Sequence, residues 1–99
     1  MADFEFQSPE EIQVALGERL RQLRLRADVT QDALAAKAGI SVRALRALEK
    51  GEGSSLITLV RVLKALGAAS GLDAIAPEPT ISPMALLERG KAPQRARGR

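Results

Sequence analysis

Arg43, Arg46 and Lys50 lie three and four residues apart, so in a helix their cationic heads share one side. At about 100° per residue, Ala44, Leu45 and Leu48 turn to the opposite side, and Ala47 and Val42 flank the cations. The only acid of the segment, Glu49, is rotated toward the edge. Small residues let a backbone come close to a ligand, and guanidinium groups match guanine edges or phosphate oxygens. The chemistry this face offers is recognition of a polyanion, not the making or breaking of bonds. Taken alone, the same pattern equally describes an ordinary amphipathic helix with a solvated face. The segments around it decide between the two.

The preceding residues supply a second helix and a tight turn. Thr30 can cap a helix by accepting from a free backbone N–H in its first turn, and Leu34, Ala35 and Ala38 follow at helical spacing. Gly39 permits the left-handed backbone that ends a helix, and Ser41 caps the next one. Two short helices joined in this way form a helix-turn-helix.

The elements that must hold this pair are equally legible. Ser8-Pro9-Glu10-Glu11 predicts a helix start with a capping serine, an N1 proline and a capping box closed by Glu11. Ile12, Leu16, Leu20 and Leu23 then form a predicted buried stripe, and the helix runs to about Ala27, with Asp28-Val29 as a corner. Arg19, Arg21 and Arg26 fall on its solvated side. After Gly51-Glu52-Gly53, Ser54-Ser55 precedes a helix from Leu56 to Leu66 that stops at Gly67, with Leu56, Leu59, Val60, Leu63 and Leu66 as its predicted buried stripe. A fifth helical turn is predicted over Leu72 to Ile75. The fold class is therefore all-α, a compact bundle of about five short helices. Residues 1–9 form an N-terminal arm in which Phe4-Glu5-Phe6-Gln7 reads either as a short strand or as a leader whose rings cover the bundle. Residues 10–76 form the helix-turn-helix domain. Residues 77–99 comprise a Pro-rich linker, a short helix from Ser82 to Arg89 with Met84, Leu86 and Leu87 as its apolar patch, and a basic tail expected to be disordered.

Composition removes most other classes. The chain has 99 residues, with no Cys, His, Tyr or Trp, so nucleophilic triads and zinc sites have almost no raw material. No catalytic carboxylate pair stands out, and an enzyme is not expected; nor is a cofactor or a metal. With only two aromatic residues, the core must come from Leu, Ile, Val and Ala. A folded part of roughly 60–65 residues can stand alone but is marginal, and dimerisation would help it. No apolar run reaches the ~20 residues that cross a bilayer, and the acidic start lacks the features of a secretion signal, so a cytoplasmic protein is expected. The net charge of +3 and pI near 10.0 permit nucleic-acid binding without requiring it.

The chain resembles the lambda-repressor-like helix-turn-helix family, also called the XRE family. The matching residues run from Leu16-Gly17-Glu18-Arg19-Leu20-Arg21-Gln22-Leu23-Arg24 through Thr30-Gln31, Leu34-Ala35 and Gly39-Ile40-Ser41. They continue with Leu45, Leu48-Glu49 and Gly51, then Leu59, Leu63 and Ala65-Leu66-Gly67, spanning roughly residues 10 to 70. The resemblance implies that Gln31 holds a phosphate and braces the recognition helix, with Thr30, Ser41 and Lys50 as further backbone contacts. It implies that Val42, Arg43 and Ala47 read major-groove edges, with Arg46 alongside. It also implies an ion pair between Arg24 and Glu49. Polar readers often stand where this chain has Val42 and Ala47, which leaves Arg43 as the main base-reading candidate.

The linker, Ser82-Pro83-Met84-Ala85-Leu86-Leu87-Glu88-Arg89-Gly90 and the Arg-rich end resemble the HipB-like antitoxins that accompany HipA-type kinase toxins. That likeness implies a homodimer on a double-stranded DNA operator, repressing its own operon and binding a serine/threonine kinase, with Met84, Leu86 and Leu87 as docking residues. The alternative is a protein-interaction module whose main task is to bind a partner through its C-terminal tail.

Overall fold

Ser8 accepts from the Glu11 backbone N–H at 3.1 Å, and the Glu11 carboxylate accepts from the Ser8 backbone N–H at 2.8 Å. This reciprocal cap, with Pro9 at the first helical position, opens α1 (Pro9–Arg26). In the computed structural model, which describes residues 3–79, four further α-helices follow, α2 (Gln31–Ala38), α3 (Val42–Lys50), α4 (Leu56–Ala65) and α5 (Leu72–Ile75), with a 3₁₀ turn at Ala69–Gly71 leading into the last. Thr30, Ser41 and Ser55 cap α2, α3 and α4 by accepting from Ala33, Ala44 and Thr58 N–H groups. Each satisfies a donor that the first helical turn leaves without a partner. Gly39 and Gly51 end α2 and α3 at φ of 74° and 75°, the left-handed region that glycine enters without a Cβ penalty.

Leu34, Leu45 and Val62 are fully buried, one each from α2, α3 and α4, and Leu20 joins them from α1. Ala35, Ala38 and Leu48 complete the centre, with Leu16, Val29, Ile40, Leu59, Leu63 and Leu66 packed against it. No aromatic ring enters this core, since both phenylalanines, Phe4 and Phe6, lie in the N-terminal turn.

The structure corrects the reading in four places. In α4 the fully buried residue is Val62, while Leu56 is 75% exposed and Ile57 is exposed beside it. The sequence of α4 is apolar nearly all the way round, so periodicity alone does not single out the covered side. In α1 the buried row steps from Leu20 to Arg24, and Leu23 is exposed. Glu49 is buried, not at a solvated edge. Finally, Phe4–Phe6 is a 3₁₀ turn capped by Asp3, not a strand, with the Arg19 guanidinium 4.5 Å from the Phe4 ring centre. Met84, Leu86, Leu87 and the short helix predicted around them lie outside the described residues, as does the basic tail.

Candidate nucleic-acid interface

Helix α3 is seated against α1 through an approach that only glycine permits. A Cβ on Gly17 would lie 2.8 Å from the Glu49 carbonyl oxygen and closer still to that of Leu48. Gln13 of α1 donates to the Gly51 carbonyl at 2.7 Å, tying the far end of α3 to the same helix. At the near end, the Arg61 guanidinium of α4 donates to the Gly39 carbonyl at 3.2 Å, bracing the turn between α2 and α3. Neither Gln13 nor Arg61 is signalled by the sequence, because both act on backbone carbonyls brought near by the fold.

Under α3 lies an ion pair. Arg24 Nε and Nη2 donate to Glu49 Oε2 and Oε1 at 2.7 and 3.1 Å, and both residues are buried at 7% and 6% exposure. Arg24 Nη1 also donates to the Val29 carbonyl at 2.9 Å, and Gln31 Nε2 donates to Glu49 Oε1 at 3.0 Å. Buried charges are tolerated when their remaining donors and acceptors are satisfied in this way. The network joins α1, α2, α3 and the corner between α1 and α2, so it fixes the pitch of α3.

The opposite side of α3 is open. Arg43, Arg46 and Lys50 are exposed, and among the described residues Arg43 and Lys50 have no ion-pair or hydrogen-bond partner. Ala47 and Val42 are half-buried, and Val42 also packs against the core. Thr30 and Ser41 are exposed at the starts of α2 and α3. Their hydroxyl oxygens serve as caps, which leaves each O–H free to donate. Gln31, half-buried, opens α2 beside Arg46.

The structure thus brings Thr30, Gln31, Ser41, Arg43, Arg46 and Lys50 onto connected ends and faces of α2 and α3, the geometry of a helix-turn-helix whose second helix leads. The Helix-turn-helix family matches residues 20–70, which contain the whole of α2, α3 and α4. The chain belongs to the helix-turn-helix family, of XRE type. No curated protein matches it. Family membership carries DNA binding and transcription regulation, and it agrees with the expectation that the chain is not an enzyme. No helix among the described residues is long and apolar enough to cross a membrane. The Arg24–Glu49 pair holds α3, the second helix of the helix-turn-helix, at a fixed angle against α1.

Proposed function

We propose that the protein is a sequence-specific transcriptional repressor that binds its operator as a homodimer. It further serves, on this reading, as the autoregulating antitoxin of a HipA-type kinase operon. The observation that carries the DNA-binding part is the face of α3, where Arg43 and Lys50 stand exposed and unpaired among the described residues beside the small Ala47. Arg43 is the principal base reader, with Val42 and Ala47 in apolar contact with the groove wall. Thr30, Gln31, Ser41 and Lys50 hold phosphates and set the register.

A single α3 of nine residues covers only a few base pairs, and a pair of such helices on one side of the duplex doubles the site. The exposed apolar side chains Leu56, Ile57 and Ile75 favour burial against a second protein surface, which supports the dimer. The antitoxin role rests on the resemblance of residues 77–99 to HipB-like chains.

Selection of the full chain on a random-sequence duplex library, read at two salt concentrations, tests the repressor reading. The expected product is a pseudo-palindrome with half-sites about 10–10.5 base pairs apart. Recovery of no enriched sequence would defeat it. Deleting residues 77–99 tests the antitoxin reading. Operator binding should survive while neutralisation of the neighbouring kinase is lost. Retention of both would remove the docking role of Met84, Leu86 and Leu87. The second reading, a module whose main task is to bind a partner protein through its C-terminal tail, draws on the apolar Met84, Leu86 and Leu87. It predicts partner capture with no operator at all.

A further inference from the structure

Arg46 differs from its neighbours Arg43 and Lys50 in being tethered. Its Nε donates to Gln31 Oε1 at 3.3 Å, while Gln31 Nε2 donates to Glu49 Oε1 at 3.0 Å. The orientation of the Gln31 amide follows from chemistry. A guanidinium can only donate and an ionised carboxylate can only accept, so the amide oxygen must face Arg46 and the NH₂ must face Glu49. Each group keeps capacity after these bonds: one N–H on Gln31 and the four Nη N–H positions of Arg46. Arg46, Gln31 and Lys50 all line one open cleft of about 370 Å³ between α1, the start of α2 and the end of α3. The α1 wall of that cleft is internally balanced, since Arg21 pairs with Glu18 at 3.4 Å. The uncompensated positive charge is therefore on the α2–α3 side.

On the helical wheel Arg46 sits about 60° round α3 from Arg43, toward Glu49 and away from the centre of the exposed face. The first helix of a helix-turn-helix crosses the DNA backbone, while the second enters the groove. A side chain held to the first residue of that first helix is held at the backbone.

We propose that Arg46 is a phosphate ligand and not a base reader: with Gln31 it clamps one phosphodiester at the mouth of this cleft, and Glu49 and Arg24 fix the clamp. This rests on the DNA-binding reading and deepens it, because it leaves sequence discrimination to Arg43 and converts Arg46 into a device for setting register. The buried ion pair then has a second task, since it orients the amide that orients the arginine.

The test is the same library selection, run with the parent chain and with Arg46→Ala, followed by affinity measurements over a range of salt on the selected site and on a scrambled duplex. The parent chain must first enrich a consensus; if it does not, the DNA-binding reading falls and this inference falls with it. Given a consensus, Arg46→Ala should select the same one. It should bind both duplexes about tenfold more weakly, the scale of a charge-assisted hydrogen bond. Its salt slope should be shallower by about 0.9. Loss of one position of the consensus with an unchanged slope would make Arg46 a base reader and overturn the clamp. Unchanged affinity would overturn it as well. Should Arg46→Ala lower the melting temperature, Arg46→Lys keeps the charge but loses the planar fork that serves Gln31 and a phosphate together. It should then show the same consensus with weaker binding, and full parental affinity would count against the clamp.

Discussion

Glu49→Ala should lose about 3–5 kcal/mol of stability, because it leaves the Arg24 guanidinium buried and without a counter-charge. A chain of this size holds a total of roughly 5–15 kcal/mol, so at the low end of that range the loss takes most of the margin. The cost comes from desolvation more than from the lost attraction. Arg24 would keep one bond, to the Val29 carbonyl, while the Nε and Nη2 protons that now meet Glu49 would lose their partner. Gln31 would also lose its carboxylate acceptor. A urea titration followed by circular dichroism measures the effect as a fall in midpoint. A double variant, Arg24→Met with Glu49→Leu, should lie closer to the parent than Glu49→Ala does, because replacing both charges by apolar groups removes the uncompensated one. If Glu49→Ala unfolds at the parental midpoint, the pair is not the brace described above.

Gly17→Ala should destabilise by about 1–3 kcal/mol, the range for forcing extra atoms into a packed contact. Intrinsic propensity predicts the opposite sign, since alanine in mid-helix is favoured over glycine by about 1 kcal/mol. The neighbours decide the outcome: the added methyl would meet the carbonyl oxygens of Leu48 and Glu49, which are backbone atoms held in α3. They cannot turn aside as a side chain can, so α3 itself must move off α1. The same substitution at Gly71, where nothing lies within 4 Å, supplies the control and should be neutral. Thermal melting of the two variants distinguishes them, and a Gly17→Ala variant as stable as Gly71→Ala would contradict the close seating of α3. Because α3 shifts, Gly17→Ala should also weaken DNA binding without touching any DNA-facing side chain.

What could be read from the sequence divides by range. Caps and turns were legible, since Ser8 with Glu11, Thr30, Ser41 and Ser55 act on backbone groups three residues away. The glycine stops at Gly39 and Gly51 were legible for the same local reason. Burial was less so. Spacing of four from Leu20 leads to Arg24, yet hydropathy rejects a charge at that point; the family resemblance, not periodicity, pointed to its partner Glu49, 25 positions away, which makes it a core residue. In α4, Leu56 belongs to an apolar stripe by periodicity but extends beyond what the other helices cover, whereas Val62 lies where α2 and α3 meet it. The candidate site followed the same rule. The shared exposed face of Arg43, Arg46 and Lys50 is a matter of helical angle and was predicted. The tether from Arg46 to Gln31 spans 15 positions and two helices; the family resemblance implied that Gln31 braces α3, but nothing in the sequence named Arg46 as its partner.

Comparing the sites selected by the parent chain and by Arg43→Ala from one random duplex library decides whether α3 reads DNA through Arg43. The variant should fold as the parent does and lose about 1–3 kcal/mol on the parental site. One position of the consensus should become degenerate, while binding to scrambled duplex changes far less. An Arg43→Ala chain that selected the parental consensus with parental affinity would contradict this role.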